Sequence, residues 1–242
     1  EVSREADGGG GDLGHEDFLR HAREVADWIA DYLHSVGELP VFPDTAPGQI
    51  RDRLPYGPPE MGESMDAVLA DFRNIIVPGL THWNHPAFFG YFSITASGPG
   101  VLGEMLTAAL NVNAMLWRSS PAATELEDLV TDWLRQLLCL PEGFEGVIND
   151  TASSSSMYAL AAAREVAYPG AHRAGLFGFG PGRVYASDQA HSSIEKGVVT
   201  LGFGQDGYRA IRSDGEFRMD VDVLRTALSE DVSAGMTPVA VV

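Results

Sequence analysis

From residue 146 to the last residue, short runs of small and β-branched apolar residues alternate with helix-patterned segments. No other feature limits the possible folds as strongly. Residues 146–149 (GVIN) predict a short strand, and 154–167 a helix that stops before Pro169. Residues 184–186 predict a strand, 191–197 the start of a helix and 198–201 a further strand. A helix over 220–229 and a buried-type strand at 238–242 follow. Parallel strands need long crossovers, and those crossovers are helices, so the pattern predicts α/β architecture: a mainly parallel sheet flanked by helices. The last strand is of the kind buried on both faces. It needs neighbours, so the fold is expected to be incomplete at its C-terminus.

The first part of the chain reads differently. Residues 1–14 are polar and contain four consecutive glycines, and are expected to form a disordered tail. From His15 the apolar residues Phe18, Ala22, Val25, Ile29, Tyr32 and Val36 step by threes and fours, the repeat of one helical face. Gly37 and Pro40 end that helix. Six prolines between 38 and 59 predict an extended connector. A second helix is expected over 62–76, broken by Pro78-Gly79. Two helices joined by a strap do not enclose a core, so 15–80 is expected to be a helical arm packed on another domain or on a partner subunit. Residues 99–110 predict a helix. A stronger one starts at Ser120-Pro121, an N-cap followed by proline, and carries Leu126, Leu129, Val130, Trp133, Leu134, Leu137 and Leu138 as a stripe.

Composition removes several function classes. Acidic residues outnumber basic ones 34 to 16, giving a formal charge of −18. Such a surface repels nucleic acid and anionic lipid. No apolar run approaches the roughly 18 residues of a membrane helix, and the N-terminus lacks the basic and apolar regions of a secretory signal. The expectation is a soluble, cytoplasmic protein that binds neither nucleic acid nor membrane. The single cysteine, Cys139, excludes an internal disulfide and is expected to be an inert core thiol at a buried helix end. The basic residues are fifteen arginines and one lysine, Lys196.

Three segments carry chemistry. In the first, NDTASSSSMYALAAAR (149–164), small hydroxyl residues fill a turn before an alanine-rich helix. Free N–H groups and the positive end of the helix dipole favour a phosphate there, while the glycine fingerprints of dinucleotide and nucleoside-triphosphate sites are missing. The same residues also read as a serine-rich cap without ligand. In the second, YASDQAHSSIEK (185–196), His191 follows a strand at the start of a helix. Ligand crevices of open α/β sheets lie there, and an imidazole can stack on a flat cofactor or move protons. A capping or surface histidine is the other reading. In the third, THWNHPAFFGYF (81–92), dense aromatics can line an apolar pocket or anchor a loop. His82 and His85 are three residues apart, but no nearby carboxylate or cysteine completes a metal site, so none is expected.

Taken together and in order, these stretches resemble the group II pyridoxal-phosphate-dependent decarboxylases, which act on aromatic L-amino acids, tryptophan, tyrosine and histidine. The segments SSPAATELEDLVTDWL (119–134) and IRSDGEFRMDVDVLRTAL (211–228) fit as well, and the resemblance runs from about residue 15 to the end. It implies the fold-type I, aspartate-aminotransferase-like architecture, with 15–80 as the arm that wraps a partner in a homodimer. Residues 81–242 become the first part of the large cofactor domain. It implies pyridoxal 5'-phosphate as cofactor, with Ala152 and Ser153 holding the phosphate, Thr151 beside them, and His191 as the catalytic residue stacked on the ring. Trp83, Tyr91, Phe92, Ile94 and Met115 match the substrate pocket, the last reaching across the dimer interface.

The expected activity is decarboxylation of an aromatic L-amino acid to its amine and carbon dioxide. An aromatic aldehyde synthase on the same scaffold is the alternative, and a non-catalytic or split-enzyme piece is a third reading. Ser93 and Met115 depart from residues common in animal members, and Asp150 adds a carboxylate beside the phosphate turn, where capping the helix is its expected use. The family's cofactor-bearing lysine, its pyridine-pairing aspartate and its Gly-Thr-Thr turn are expected after residue 242. Lys196 lies five residues after His191, about 140° round an ideal helix. It follows Glu195 and is expected to be a solvated surface residue, not the cofactor lysine, so these residues alone are expected to be inactive.

Overall fold

The computed structural model describes residues 12–242, so the glycine run of the expected tail lies outside the described residues. The chain forms two compact units divided between Asn111 and Val112.

In the first unit, α1 (His15–Ser35) carries Glu16 and Asp17 in its first turn and His34 in its last, the charge order that suits the helix dipole. A single turn, α2 (Gln49–Asp52), interrupts the strap. Helix α3 (Met65–Asp71) begins where Ser64 Oγ accepts from Ala67 N at 3.2 Å. The single helix expected over 62–76 ends as an α-helix at Asp71. A wider π turn (Phe72–Ile76) and a 3-10 turn (Val77–Gly79) follow. Pro78 is the cause: it offers no N–H to the Asn74 carbonyl, which accepts instead from Arg53 Nη2 at 2.7 Å.

The two helices also touch each other. Trp28 meets Phe72 edge-on at 4.8 Å, Arg20 pairs with Asp66 at 3.0 Å, and Arg73 pairs with Glu24 at 2.6 Å. Leu69 beside them is buried, and Val25, Trp28, Ile29, Leu69, Phe72 and Arg73 line an apolar groove of about 270 Å³. Helix α4 (Gly98–Leu110) closes the unit, capped by Ser97 Oγ and ended by Asn111 in the left-handed region.

The second unit opens with α5 (Pro121–Leu137). Pro121 lies in its first turn, and Ser120 occupies the cap position without a side-chain bond. Cys139 is exposed, contrary to expectation, because the helix end it follows is not buried: Leu137 and Leu138 are open to solvent as well. Helices α6 (Ala152–Ala167) and α7 (Ala171–Ala174) lead to β1 (Gly182–Ser187). Then come α8 (Ser193–Thr200), β2 (Tyr208–Ile211), α9 (Val221–Ser233) and β3 (Thr237–Val241).

The sheet order is β2-β1-β3, with both neighbours parallel to β1. From β1 the chain steps one way to β2, then back across β1 to β3. Right-handed crossovers in opposite directions place their helices on opposite faces. The cores follow this rule. Val184 and Ala186 pack with Leu160, Ile194 and Val198 of α6 and α8. Tyr185, which alternates to the other face, packs with Ile211 and with Ala227 of α9.

Two expected strands are absent. Residues 198–201 complete α8 and its end, with Ile194, Gly197, Val198 and Leu201 on one inward face at helical spacing. A short apolar run cannot by itself distinguish a strand from a buried helix turn. Residues 146–149 have no regular secondary structure and pair with no strand among the described residues. The Ile148 N–H donates instead to Glu127 Oε1 at 2.7 Å, so its donor is satisfied by a side chain.

Candidate active site

His191 lies just beyond the C-terminal end of β1, on a loop held between the ends of β1 and β2. The Asp188 N–H donates to Ile211 O at 2.8 Å, and Ser213 Oγ donates to Asp188 Oδ1 at 2.5 Å. The Ser213 hydroxyl holds the Asp188 carboxyl below its usual range. The Ala190 N–H turns back to Ser187 O, and His191 follows. Its Nδ1 accepts from the Ser193 N–H at 3.2 Å and lies 2.9 Å from Ser193 Oγ. An N–H donor requires a bare lone pair, so the neutral ring carries its proton on Nε2.

The turn before α6 supplies the opposing wall. Thr151 is the N-cap: its Oγ1 accepts from Ser154 N at 3.1 Å, and its carbonyl accepts from Ser155 N at 3.0 Å. Those bonds satisfy two of the first donors of the helix. The N–H groups of Ala152 and Ser153 have no acceptor among the described residues. Asp150 was expected to cap this helix, but it is exposed and Thr151 caps instead, being one residue closer to the orphan donors.

Ser153 and Ser154 share one cleft of about 220 Å³ with Met157, His191, Ser193, Lys196, Gly197 and Thr200. Its polar lining is four hydroxyls, an imidazole and an ammonium, with no carboxylate, in a chain of net charge −18. Hydroxyl donors, the Ser153 N–H and a helix N-terminus fit a phosphate. Gly197 keeps the cleft walls close: a Cβ there would lie 3.2 Å from Leu160 Cδ1. Lys196 is exposed, as expected, but its angular separation from His191 is not realised. Helix α8 starts only at Ser193, so the imidazole and the ammonium line the same cleft.

The aromatic segment belongs to the first unit. Trp83 stacks on Tyr91 with centroids 5.4 Å apart and planes 9° from parallel. Tyr91 has φ 56°, a strained state for a bulky residue. Phe88, buried, supports Trp83 from another side at 4.9 Å. Phe92 and Ile94 are exposed. Met115, in the second unit, is exposed and lines a separate cavity with Ala114, Glu127 and Ile148.

Sequence reasoning therefore named Ser153, His191, Trp83 and Tyr91, which the structure brings together in pairs. It missed Ser154, Met157 and Thr200 in the cleft, and Phe88 behind the indole. The spacing of Ser154 and Met157 along α6 was the available signal. The histidine pair considered for metal has its nitrogens engaged otherwise: His82 Nδ1 lies 3.0 Å from Tyr32 Oη, and His85 uses both ring nitrogens, on Gly37 O and Ala87 N. His21, Glu24 and Asp66 gather three potential ligands elsewhere, but Arg73 and Arg20 already neutralise the carboxylates.

Residues 47–242 match the pyridoxal-dependent decarboxylase conserved domain. The chain belongs to the pyridoxal-dependent decarboxylase family. It is 40% identical to a bovine (Bos taurus) aromatic-L-amino-acid decarboxylase, over 93% of this chain and 48% of that protein. It is 38% identical to a phenylacetaldehyde synthase of a Rosa hybrid cultivar, over 93% of this chain and 46% of the other. The crystal structure of Oryza sativa TDC with PLP and tryptamine superposes with a TM-score of 0.87 at 34% identity, covering 95% of this chain and 51% of that one. The chain thus spans about half the length of the curated relatives it matches. The decarboxylase family fixes the fold as fold-type I α/β and identifies the cofactor class as pyridoxal phosphate. Among the described residues no helix is long and apolar enough to cross a membrane.

Proposed function

We propose that this chain forms the phosphate-anchoring part of a cytoplasmic, homodimeric enzyme that decarboxylates an aromatic L-amino acid to its amine. The observation that carries the reading is the shared cleft of Ser153 and His191, donors on one wall and an imidazole on the other. Bound pyridoxal phosphate supplies an electron sink for the pair left behind when carbon dioxide departs.

The chain's own residues do the rest. The N–H groups of Ala152 and Ser153, with the Ser153 hydroxyl, bind the phosphate, while Thr151 holds their turn in place. His191 offers a flat ring face for stacking, and its Nε2–H can donate to a substrate carboxylate or return a proton to carbon. The Trp83–Tyr91 stack, with Phe92 and Ile94, gives an aromatic side chain an apolar wall and gives an acidic one no cation; Met115 is a further substrate contact, offered to the partner subunit. Lys196 does not carry the cofactor. It is exposed on the wall of the same cleft, where its charge favours an anion. Residues 15–80 act as the arm of the assembly.

An aldehyde synthase on the same scaffold is the second reading, supported by the resemblance to the rose phenylacetaldehyde synthase. Incubating the holoenzyme with L-tryptophan, L-tyrosine, L-phenylalanine and L-glutamate separates the readings. Amine and carbon dioxide from an aromatic substrate support the first. Aldehyde, ammonia and peroxide support the second. Turnover of glutamate alone overturns both.

A further inference from the structure

The wall residue Trp83 is preceded by a histidine that the proposed chemistry does not use. His82 is 3% exposed, and its Nδ1 lies 3.0 Å from Tyr32 Oη near the end of α1. Its backbone N–H donates to Val41 O at 3.0 Å. Three residues on, His85 Nε2 reaches Gly37 O at 3.2 Å, so the loop is tied to the end of α1 and to the strap at three points. On the far side of the loop, Trp83 stacks on Tyr91, whose left-handed backbone needs an external support to persist.

We propose that His82 is the positioning residue of the aromatic wall: its half-buried hydrogen bond to Tyr32 fixes Trp83 in the orientation that stacks on Tyr91. The inference rests on the reading that Trp83 and Tyr91 face the substrate. Burial, and secondarily His85, lower the His82 pKa, so the ring is neutral at pH 7 and keeps a lone pair for the pairing. Removing the imidazole leaves the Tyr32 hydroxyl without its partner and frees the indole. Substrate binding then suffers more than turnover, because the wall touches the side chain and not the reacting carbon.

The test uses the holoenzyme and four variants. His82→Leu is expected to raise KM for the aromatic substrate about tenfold with kcat within about threefold, and Tyr32→Phe to shift KM the same way more weakly. His82→Asn, which can place a polar atom near Nδ1, should recover most of the loss. The part of the near-ultraviolet circular dichroism that Trp83→Phe removes reports the stack, and should disappear in His82→Leu and return in His82→Asn. If His82→Leu does not fold, Tyr32→Phe with the same two readouts decides. An unchanged KM and an unchanged stacking signal overturn the proposal, as does a fall in kcat at constant KM. If Trp83→Phe itself leaves KM unchanged, the wall reading fails, and this inference falls with it. A shift with Trp83→Phe but none with His82→Leu or Tyr32→Phe overturns the His82 role alone.

Discussion

Thr151 Oγ1 accepts the Ser154 N–H at 3.1 Å and so pins the turn whose next two N–H groups have no acceptor among the described residues. Replacing Thr151 with alanine is expected to destabilise the protein by about 1 kcal/mol through loss of the cap. It should also weaken pyridoxal phosphate binding several-fold, because the anchor turn loosens. Thr151→Ser should retain both properties. Chemical denaturation and a cofactor titration of each variant check this. Equal affinity in Thr151→Ala and the parent protein contradicts the role given to the cap.

Gly207 enters β2 beneath Phe203. A Cβ at this position would lie 2.5 Å from Phe203 Cβ and 3.4 Å from Gly182 O. Phe203 packs against the core between the sheet and α8 and cannot withdraw freely. Gly207→Ala is therefore expected to cost about 1–3 kcal/mol, measured as a lowered denaturation midpoint. Gly57→Ala, with nothing within 4 Å, serves as the neutral comparison.

Much of this fold was legible. Helix α1 carries its apolar residues on one face, and β1 and β3 are short apolar runs set between helical segments, so period and length suffice for them. The failures share a cause. Residues 198–201 and 146–149 both carry strand-forming residues, and whether such a run pairs depends on a neighbour that local sequence does not specify. β2 went unread because Arg209 interrupts its apolar pattern; the structure pairs that guanidinium with Glu230 at 2.6 Å and Asp231 at 2.8 Å. At the site, Ser153 and His191 were named by resemblance, since nothing in their separation of 38 positions says that one cleft joins them. Lys196 was misplaced because α8 begins after His191 and not before it.

Glu165 accepts hydrogen bonds from the N–H groups of Gly170 and His172 and pairs with the His172 ring at 2.7 Å. The Gly170 N–H contributes most, then the His172 ring, and together they depress the carboxyl to about 2. A depressed acid stabilises the fold above its ordinary range near 4.5, and that contribution fades as pH falls from there toward 2. Carbon-detected titration of the Glu165 carboxyl should show a midpoint near 2. A midpoint near 4.5 contradicts the local geometry.

Tyr185 is fully buried in the middle strand. Burial foremost, and then the nearby Asp231 carboxylate, push its phenol up to about 12. A raised pKa means that the folding contribution is intact below pH 10 and is lost as pH rises through 12. Ultraviolet titration should show a late-ionising tyrosine that Tyr185→Phe abolishes. A tyrosine profile unchanged by that substitution contradicts the burial.

In the proposed function the turn at Ser153 grips an anion while His191 faces the ring attached to it. Comparing the binding of pyridoxal 5'-phosphate with that of pyridoxal, which lacks the phosphate, tests it most directly when Ser153 is replaced by aspartate. Ser153→Asp is expected to weaken pyridoxal phosphate at least about tenfold, through like-charge repulsion at the helix N-terminus, and to leave pyridoxal nearly unchanged. Equal binding of pyridoxal phosphate by the variant and the parent protein would contradict it.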